Sequence, residues 1–294
     1  MKYRHAYHAG NFADVHKHVT LLALLAALKR KDKGFFYLET HAGRGAYDLS
    51  GPAGESGGGI GRFEAQPGLP APWRTGAPEL RIYSERVQLL RRERGAPRLY
   101  PGSPLLAASE LRPADRAVWI ELSPPEARAL ERALPHSGAE TLQLRVETGD
   151  GFERMRAWLP PRERRGLTFI DPPYEESRQD FERARRAAAE ALRRFHTGVV
   201  AVWYPIKDER DTTAWLAAIA AELDCALLAA ELSLYPRDSR VALNGSGMLI
   251  LNPPYQLAER MDVWLPQLHA CLDLGHGGEA SVRRLREAAA GPGP

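Results

Sequence analysis

From Gly34 onward, short apolar runs alternate with longer amphipathic stretches, the pattern of a parallel β-sheet with helices on both faces. The runs at 35–39, 117–121, 141–147, 167–171, 199–203, 226–234 and 248–251 are the predicted strands. Several are rich in Val, Ile, Leu and Phe and end at an acidic residue, as buried strands do when their carboxyl ends open onto a ligand crevice. Helices are predicted at 14–29, 124–134, 152–159, 179–195, 212–223 and 257–272. No helix fits between the last two strands, where Pro236, Asp238, Asn244 and Gly245 mark turns, so that pair closes as an antiparallel hairpin. The expectation is an α/β fold built on a seven-stranded, mostly parallel sheet with an antiparallel last strand.

About seventy residues separate Gly45 from Ala117, where a simple crossover needs far fewer. Residues 47–100, Gly/Pro-rich at first and then helical and basic, therefore read as a small inserted helical subdomain over the crevice. The main domain is 1–46 with 101–274. A tail at 275–294, opening with Gly275, Gly277 and Gly278, is expected to fray.

Composition narrows the class. Hydrophobic residues make up 44% of the 294-residue chain, yet the first apolar stretch, 21–28, is too short to span a bilayer and no signal-peptide core stands at the start. A cytoplasmic protein with no membrane partner is expected. Cys225 and Cys271 cannot build a disulfide framework or a four-cysteine zinc site. The net charge of +3 is modest, but arginines bunch at 91–98, 162–165 and 193–194, where they are suited either to phosphates or to solvated helix faces.

Candidate chemistry lies at strand ends. After the first strand comes Glu39-Thr40-His41-Ala42-Gly43-Arg44-Gly45, whose glycines permit a sharp turn and close approach to a ligand. It lacks the lysine of a phosphate-cradling loop. Glu121 ends the second strand, placed to accept the hydroxyl hydrogens of a ribose. Asp150-Gly151 follows the third, a carboxylate for an adenine amine and a glycine that leaves room for the ring.

The fourth strand empties into Asp171-Pro172-Pro173-Tyr174. An exocyclic amine is a poor nucleophile because its lone pair is delocalised into the ring, so a catalyst must accept both N–H groups. Asp171 is suited to one and the Pro172 carbonyl to the other. The prolines fix the backbone and add no competing donor, and Tyr174 offers a face on which a flipped base can stack. A second copy, Asn252-Pro253-Pro254-Tyr255, follows the last strand. Strand order puts the copy at 171 beside the glycine turn, so the one at 252 is assigned to structure.

The front segment is dense in histidine. His5, His8, His16, His18 and Asp14 are possible ligands of a metallohydrolase, but their spacing is loose and Lys17 among them would repel a cation. The preferred reading binds no metal: Lys17 and His18 face the carboxylate of a bound amino-acid moiety, and Tyr3 and Arg4 reach RNA.

With these residues in place, the chain resembles the bacterial 23S ribosomal RNA adenine-N6 methyltransferases of the RlmJ family. The likeness runs from Tyr3 to about Leu274. It rests on Tyr-Arg-His-x-x-His-Ala-Gly-Asn at 3–11, Thr-His-Ala-Gly at 40–43, Tyr-Pro-Gly-Ser-Pro at 100–104, Asp-Gly-Phe at 150–152, Asp-Pro-Pro-Tyr at 171–174 and Trp-Tyr-Pro at 203–205. It departs at Gly57-Gly58-Gly59 and after Gly275. The resemblance implies a Rossmann-like class I methyltransferase fold, S-adenosyl-L-methionine as cofactor, and a monomer acting without a protein partner on naked or partly assembled large-subunit RNA. It also implies cofactor contacts from His18, His41, Ser103, Glu121, Asp150 and Gly151, with Lys17 close by, a proton-accepting role for Asp171, and a substrate contact from Tyr3. The rivals are a DNA adenine or cytosine amino-methyltransferase, a noncatalytic RNA-binding module and the metallohydrolase.

Overall fold

The computed structural model describes residues 8–50, 55–65, 76–134, 143–175, 177–239, 241 and 243–287. Tyr3, Arg4 and His5 lie outside them, as do parts of the predicted insertion and the end of the tail.

The chain enters through helix α1 (Phe12–Lys29), capped by Asn11, whose side chain accepts the Asp14 amide. The helix is buried on every side from Phe12 to Leu25. A helix apolar all round belongs in a core, and this one carries His16, Lys17 and His18 inside with it. Strand β1 (Phe36–Glu39) follows, then a two-stranded ribbon of β2 (Ala46–Asp48) and β3 (Leu99–Pro101) that forms the stem of the insertion. Between them lie α2 (Ile60–Ala65) and α3 (Pro78–Glu93). Phe63, Leu80, Tyr83 and Val87 of these helices share one core with Val15 and Val19 of α1. The described part of the insertion is thus packed into the main body.

The remaining elements are α4 (Ser103–Ala108), β4 (Arg116–Glu121), α5 (Pro124–Ala133), β5 (Gln143–Thr148), the short α6 (Gly151–Arg154), β6 (Gly166–Ile170), α7 (Ser177–Arg194), β7 (Val199–Ile206), α8 (Glu209–Glu222), β8 (Leu227–Ser233), β9 (Gly245–Leu251), α9 (Leu257–Leu272) and β10 (Ala280–Arg286). The sheet runs β10-β8-β9-β7-β6-β1-β4-β5. Strands β1 and β4 to β7 are mutually parallel, whereas β9 is antiparallel to both its neighbours. Alternation along β1 sorts the faces: Tyr37 joins the core beneath α1 and α9, while Phe36 and Leu38 join the core beneath α7 and α8.

Two expectations are corrected. The sheet has eight strands among the described residues, because 280–286, read as part of a frayed tail, pairs antiparallel with β8. Gly275 (φ +74°) and Gly277 (φ +81°) turn the chain back toward the sheet. Buried Glu231 of β8 then holds the edge strand, accepting from Arg283 at 2.8 Å, Arg237 at 2.9 Å and Tyr204 at 2.9 Å. The predicted helix at 152–159 is also shorter, breaking into a 3-10 turn after Arg154. Among the described residues no helix is long and apolar enough to cross a membrane.

Candidate active site

Parallel strands β6, β1, β4 and β5 end together at one rim, and the turn after β1 is stitched to both of its neighbours. The Thr40 amide donates to the Phe169 carbonyl of β6 at 3.0 Å, and the Ala42 amide to the Ile120 carbonyl of β4 at 3.0 Å. Gly43 and Gly45 take φ values of +64° and +76°, the left-handed region that glycine adopts at least cost. This geometry aims the Gly43 amide at Glu121 Oε2, 2.8 Å away, while Glu121 Oε1 accepts the Ser123 amide at 2.7 Å. Each carboxylate oxygen has two lone pairs, so both retain one for a ligand hydroxyl.

Asp150 caps α6 by accepting the Phe152 amide at 2.8 Å, and its other oxygen pairs with Arg183 of α7 at 2.8 Å. Gly151 sits hard against the first turn: a Cβ there would lie 1.8 Å from the Thr40 carbonyl oxygen. His41 meets Phe152 edge-on at 4.6 Å and shares a hydrogen bond with Thr40 Oγ1. Desolvation, aided by Arg183 and opposed by Asp150, lowers the His41 imidazole to about 4, so it is neutral at pH 7.

Asp171 leaves β6 directly toward α1. Lys17 Nζ lies 2.5 Å from Asp171 Oδ2 and 2.8 Å from Asp14 Oδ1, with all three side chains largely buried. Burial works against the ammonium, but the two carboxylates outweigh it and raise its pKa above the ordinary lysine value. A third carboxyl, Glu39, is fully buried beside this triad. It accepts from Tyr37 at 2.9 Å and from Ser103 Oγ. Burial, only partly offset by those hydrogen bonds, pushes Glu39 up to about 8.

The residues singled out in the sequence thus divide. Lys17, His41, Gly43, Ser103, Glu121, Asp150, Gly151 and Asp171 are joined by the contacts above around a single rim. His18 is buried against Tyr100, its Nδ1 2.9 Å from the phenol oxygen. Tyr174 requires a correction. Its ring is 2% exposed, packed against Phe181 at 4.8 Å and Trp203 at 5.5 Å, and its hydroxyl donates to the Trp203 carbonyl at 2.7 Å. A left-handed backbone at Tyr174 (φ +47°) turns the side chain inward, so in this conformation it presents no open stacking face. The front histidines go separate ways, His8 to Glu55, His16 to Ser246 and His18 to Tyr100. Arg193 and Arg194 are both held by Glu190, and Arg91 by Glu64.

A family model described as ribosomal RNA large subunit methyltransferase D, RlmJ, matches residues 32–284. The ribosomal RNA large subunit methyltransferase J of Escherichia coli strain K12 is 38% identical over 286 residues, 96% of this chain and 98% of that protein. The enzyme of the same name from Haemophilus influenzae is 38% identical over 91% of this chain and 92% of its own. The chain belongs to the RlmJ family. A crystal structure of a Legionella pneumophila protein, 34% identical, superposes with a TM-score of 0.81 over 94% of this chain and 98% of that one. The α/β architecture described above is shared with that structure.

Against this RlmJ framework, sequence reasoning had overlooked Glu39, Tyr37, Asp14 as a carboxylate partner, and Trp203. The signals were present for two of them. Glu39 ends an apolar strand as Glu121 does, and Trp203 opens the Trp-Tyr-Pro motif, its ring centroid 5.5 Å from Lys17 Nζ. Nothing local marks Tyr37, and the front segment marked Asp14 only as a possible metal ligand, not as the partner of a buried lysine.

Proposed function

We propose that this chain transfers a methyl group from S-adenosyl-L-methionine to the exocyclic N6 amine of an adenine in 23S ribosomal RNA, acting as a cytoplasmic monomer on naked or partly assembled RNA. The observation that carries the reading is the placement of Asp171: at the end of β6, clamped by Lys17, one strand away from the glycine turn of β1.

The donor set suits this cofactor. Glu121 keeps lone pairs for ribose hydroxyls, and Asp150 stands at the next strand end for an adenine amine. The charge balance discriminates further. Among the described residues, Lys17 is matched by two carboxylates and Glu121 faces no cation, a balance that favours a cationic ligand over a polyphosphate. When bound, the cofactor supplies an electrophilic methyl group on a positively charged sulfur. The chain does the rest by positioning. Asp171 accepts one N–H of the target amine and the Pro172 carbonyl the other, which turns the nitrogen lone pair out of conjugation with the ring. Lys17 holds Asp171 in place and in its charged, accepting form. A strong base is unnecessary, because the amine becomes acidic only as its new bond forms. Alignment of the two reactants accounts for most of the rate, on the order of 7–11 kcal/mol, with a smaller share from the carboxylate.

The test is transfer of tritium from labelled S-adenosylmethionine to transcribed 23S RNA and, in parallel, to duplex DNA, followed by nucleoside digestion. Label is expected in N6-methyladenosine from the RNA. Label confined to DNA, or absent from both substrates while the cofactor binds, overturns the proposal.

A further inference from the structure

Beside the Asp171 motif, between the start of α7, the end of β7 and the first turns of α8, the surface folds into a cleft of about 240 Å³. Its floor is aromatic. Phe181 is partly exposed there and packs against Trp215 at 5.2 Å, while the Trp215 indole donates to the Phe181 carbonyl at 2.9 Å, locking the two rings together. The same Phe181 touches Tyr174 at 4.8 Å, so the cleft adjoins the motif without an intervening layer. Two cations stand on the rim. Lys207 Nζ is 3.4 Å from the Tyr174 carbonyl, and exposed Arg178 forms no hydrogen bond or ion pair among the described residues. All five other arginines of α7 are spent on intramolecular acids: Arg183 on Asp150, Arg185 and Arg186 on Glu182, Arg193 and Arg194 on Glu190.

We propose that this cleft holds the nucleotide next to the target adenine, its base stacked on Phe181 and its phosphate between Arg178 and Lys207. The inference rests on the RNA methyltransferase reading and adds a subsite to it. An adenine presented to Asp171 must leave its stack, which deprives its neighbour of a stacking partner. An aromatic surface one phosphodiester away replaces that partner, and a guanidinium left unpaired at the rim is placed to meet the phosphate. The volume agrees with this occupant. It falls short of the roughly 300–1,000 Å³ typical of whole small-ligand sites but admits one ring system with its sugar and phosphate outside. Asp211 on the rim offers an acceptor to a base N–H, so a base with a donor edge is favoured.

The experiment uses the full chain and a synthetic fragment of 23S RNA carrying the adenine that the tritium assay marks, with an abasic residue introduced in turn at each flanking position. For the unaltered protein, one of the two abasic RNAs is expected to raise KM about tenfold, with kcat within about twofold. In Phe181→Leu, which keeps apolar bulk against Tyr174 and Trp215 but removes the aromatic face, that penalty should shrink below about twofold. Arg178→Ala should raise KM for the intact RNA about fivefold, leave S-adenosylmethionine binding unchanged, and reduce the salt slope of RNA binding by about 0.7, the value for one phosphate on a single strand. Arg178→Lys should recover most of the loss. If neither abasic RNA is penalised, or if Phe181→Leu retains the full penalty, the cleft holds no base and the proposal falls while the methyltransferase reading stands. A protein that binds the cofactor yet methylates no RNA at all overturns both.

Discussion

The chain carries the same local pattern twice, Asp171-Pro172-Pro173-Tyr174 after β6 and Asn252-Pro253-Pro254-Tyr255 after β9, and the molecule treats the copies in opposite ways. Strand β6 runs parallel to β1, so Asp171 emerges at the rim of the glycine turn. Strand β9 runs antiparallel to β7, with Leu251 opposite Val200 and Gly245 opposite Ile206, so Asn252 emerges at the other rim. There it is a tie. Asn252 Nδ2 donates to the carbonyls of His196 and Gly198 at 2.8 and 2.9 Å, and its amide to that of Ala226. Each copy has one left-handed residue, but at Tyr174 in the first and Asn252 in the second. Tyr174 is consequently buried, whereas Tyr255 is 81% exposed. The prolines stiffen both turns equally. What separates the chemistry proposed for the first copy from the scaffolding of the second is strand direction and the presence of a charge, Asp171 against Lys17.

The sharpest way to break this comparison is to remove the two leading side chains. Asp171→Ala should lower kcat about a hundred- to ten-thousandfold, the range of a positioned proton acceptor, while S-adenosylmethionine still binds by calorimetry. Methyl transfer at the normal rate would sink the assignment. Asp171→Asn, which imports the residue found at 252, retains one amide acceptor but loses the charge, and its kcat should fall between the two.

A comparable effect, read as stability, is expected from Lys17→Met. Removing one partner of a buried ionic group costs about 3–5 kcal/mol, here because Asp14 and Asp171 would both lose the ammonium that lies between them. Urea melts should show the loss at pH 8 and a smaller one at pH 5, where a carboxyl can take up a proton. Equal losses at both values would mean that packing, not charge, is what Lys17 supplies. Asn252→Ala is the milder counterpart. It deprives two carbonyls of their donor at about 1 kcal/mol each, so the urea midpoint should fall modestly while kcat stays within about twofold.

The contrast between the copies was partly legible before any coordinates. Strand order alone put the motif at 171 beside the first strand, and the runs located every parallel strand: β1, β4, β6 and β7 because a buried parallel strand is apolar on both faces, and the partly exposed edge strand β5 by the alternation of Leu142, Leu144 and Val146 in the sequence. The edge strand β10 escaped for the converse reason. Only Val282 and Leu285 of its long side chains are apolar, and its arginines, Arg283, Arg284 and Arg286, are balanced by Glu231, Glu259 and Asp224, partners remote in sequence. The Lys17–Asp171 pair spans 154 positions and likewise left no local trace. Tyr174 was misread because motif and strand fix where a residue sits, whereas its backbone angle decides which way the ring turns.

The smallest effect concerns charge at the two rims. Among the described residues the Asn252 side chain meets only backbone carbonyls, but the glycine-turn rim contains Glu39, whose carboxyl is pushed by burial from 4.5 to about 8. The folded protein therefore keeps a proton that the unfolded chain gives up, and stability must fall as pH rises between those values. The contribution is complete below about 4.5 and is lost as pH passes through about 8. Glu39→Gln has no proton to lose and can still meet the hydroxyls of Tyr37 and Ser103 by rotation of their hydrogens. Thermal melts from pH 5 to 9 should show the wild-type curve declining by a few degrees more than that of Glu39→Gln. Parallel curves would mean that Glu39 is ionised in the folded state, held so by Lys17. In that event the acidic rim would carry one more negative charge than assigned to it here, and its preference for a cationic ligand would be stronger.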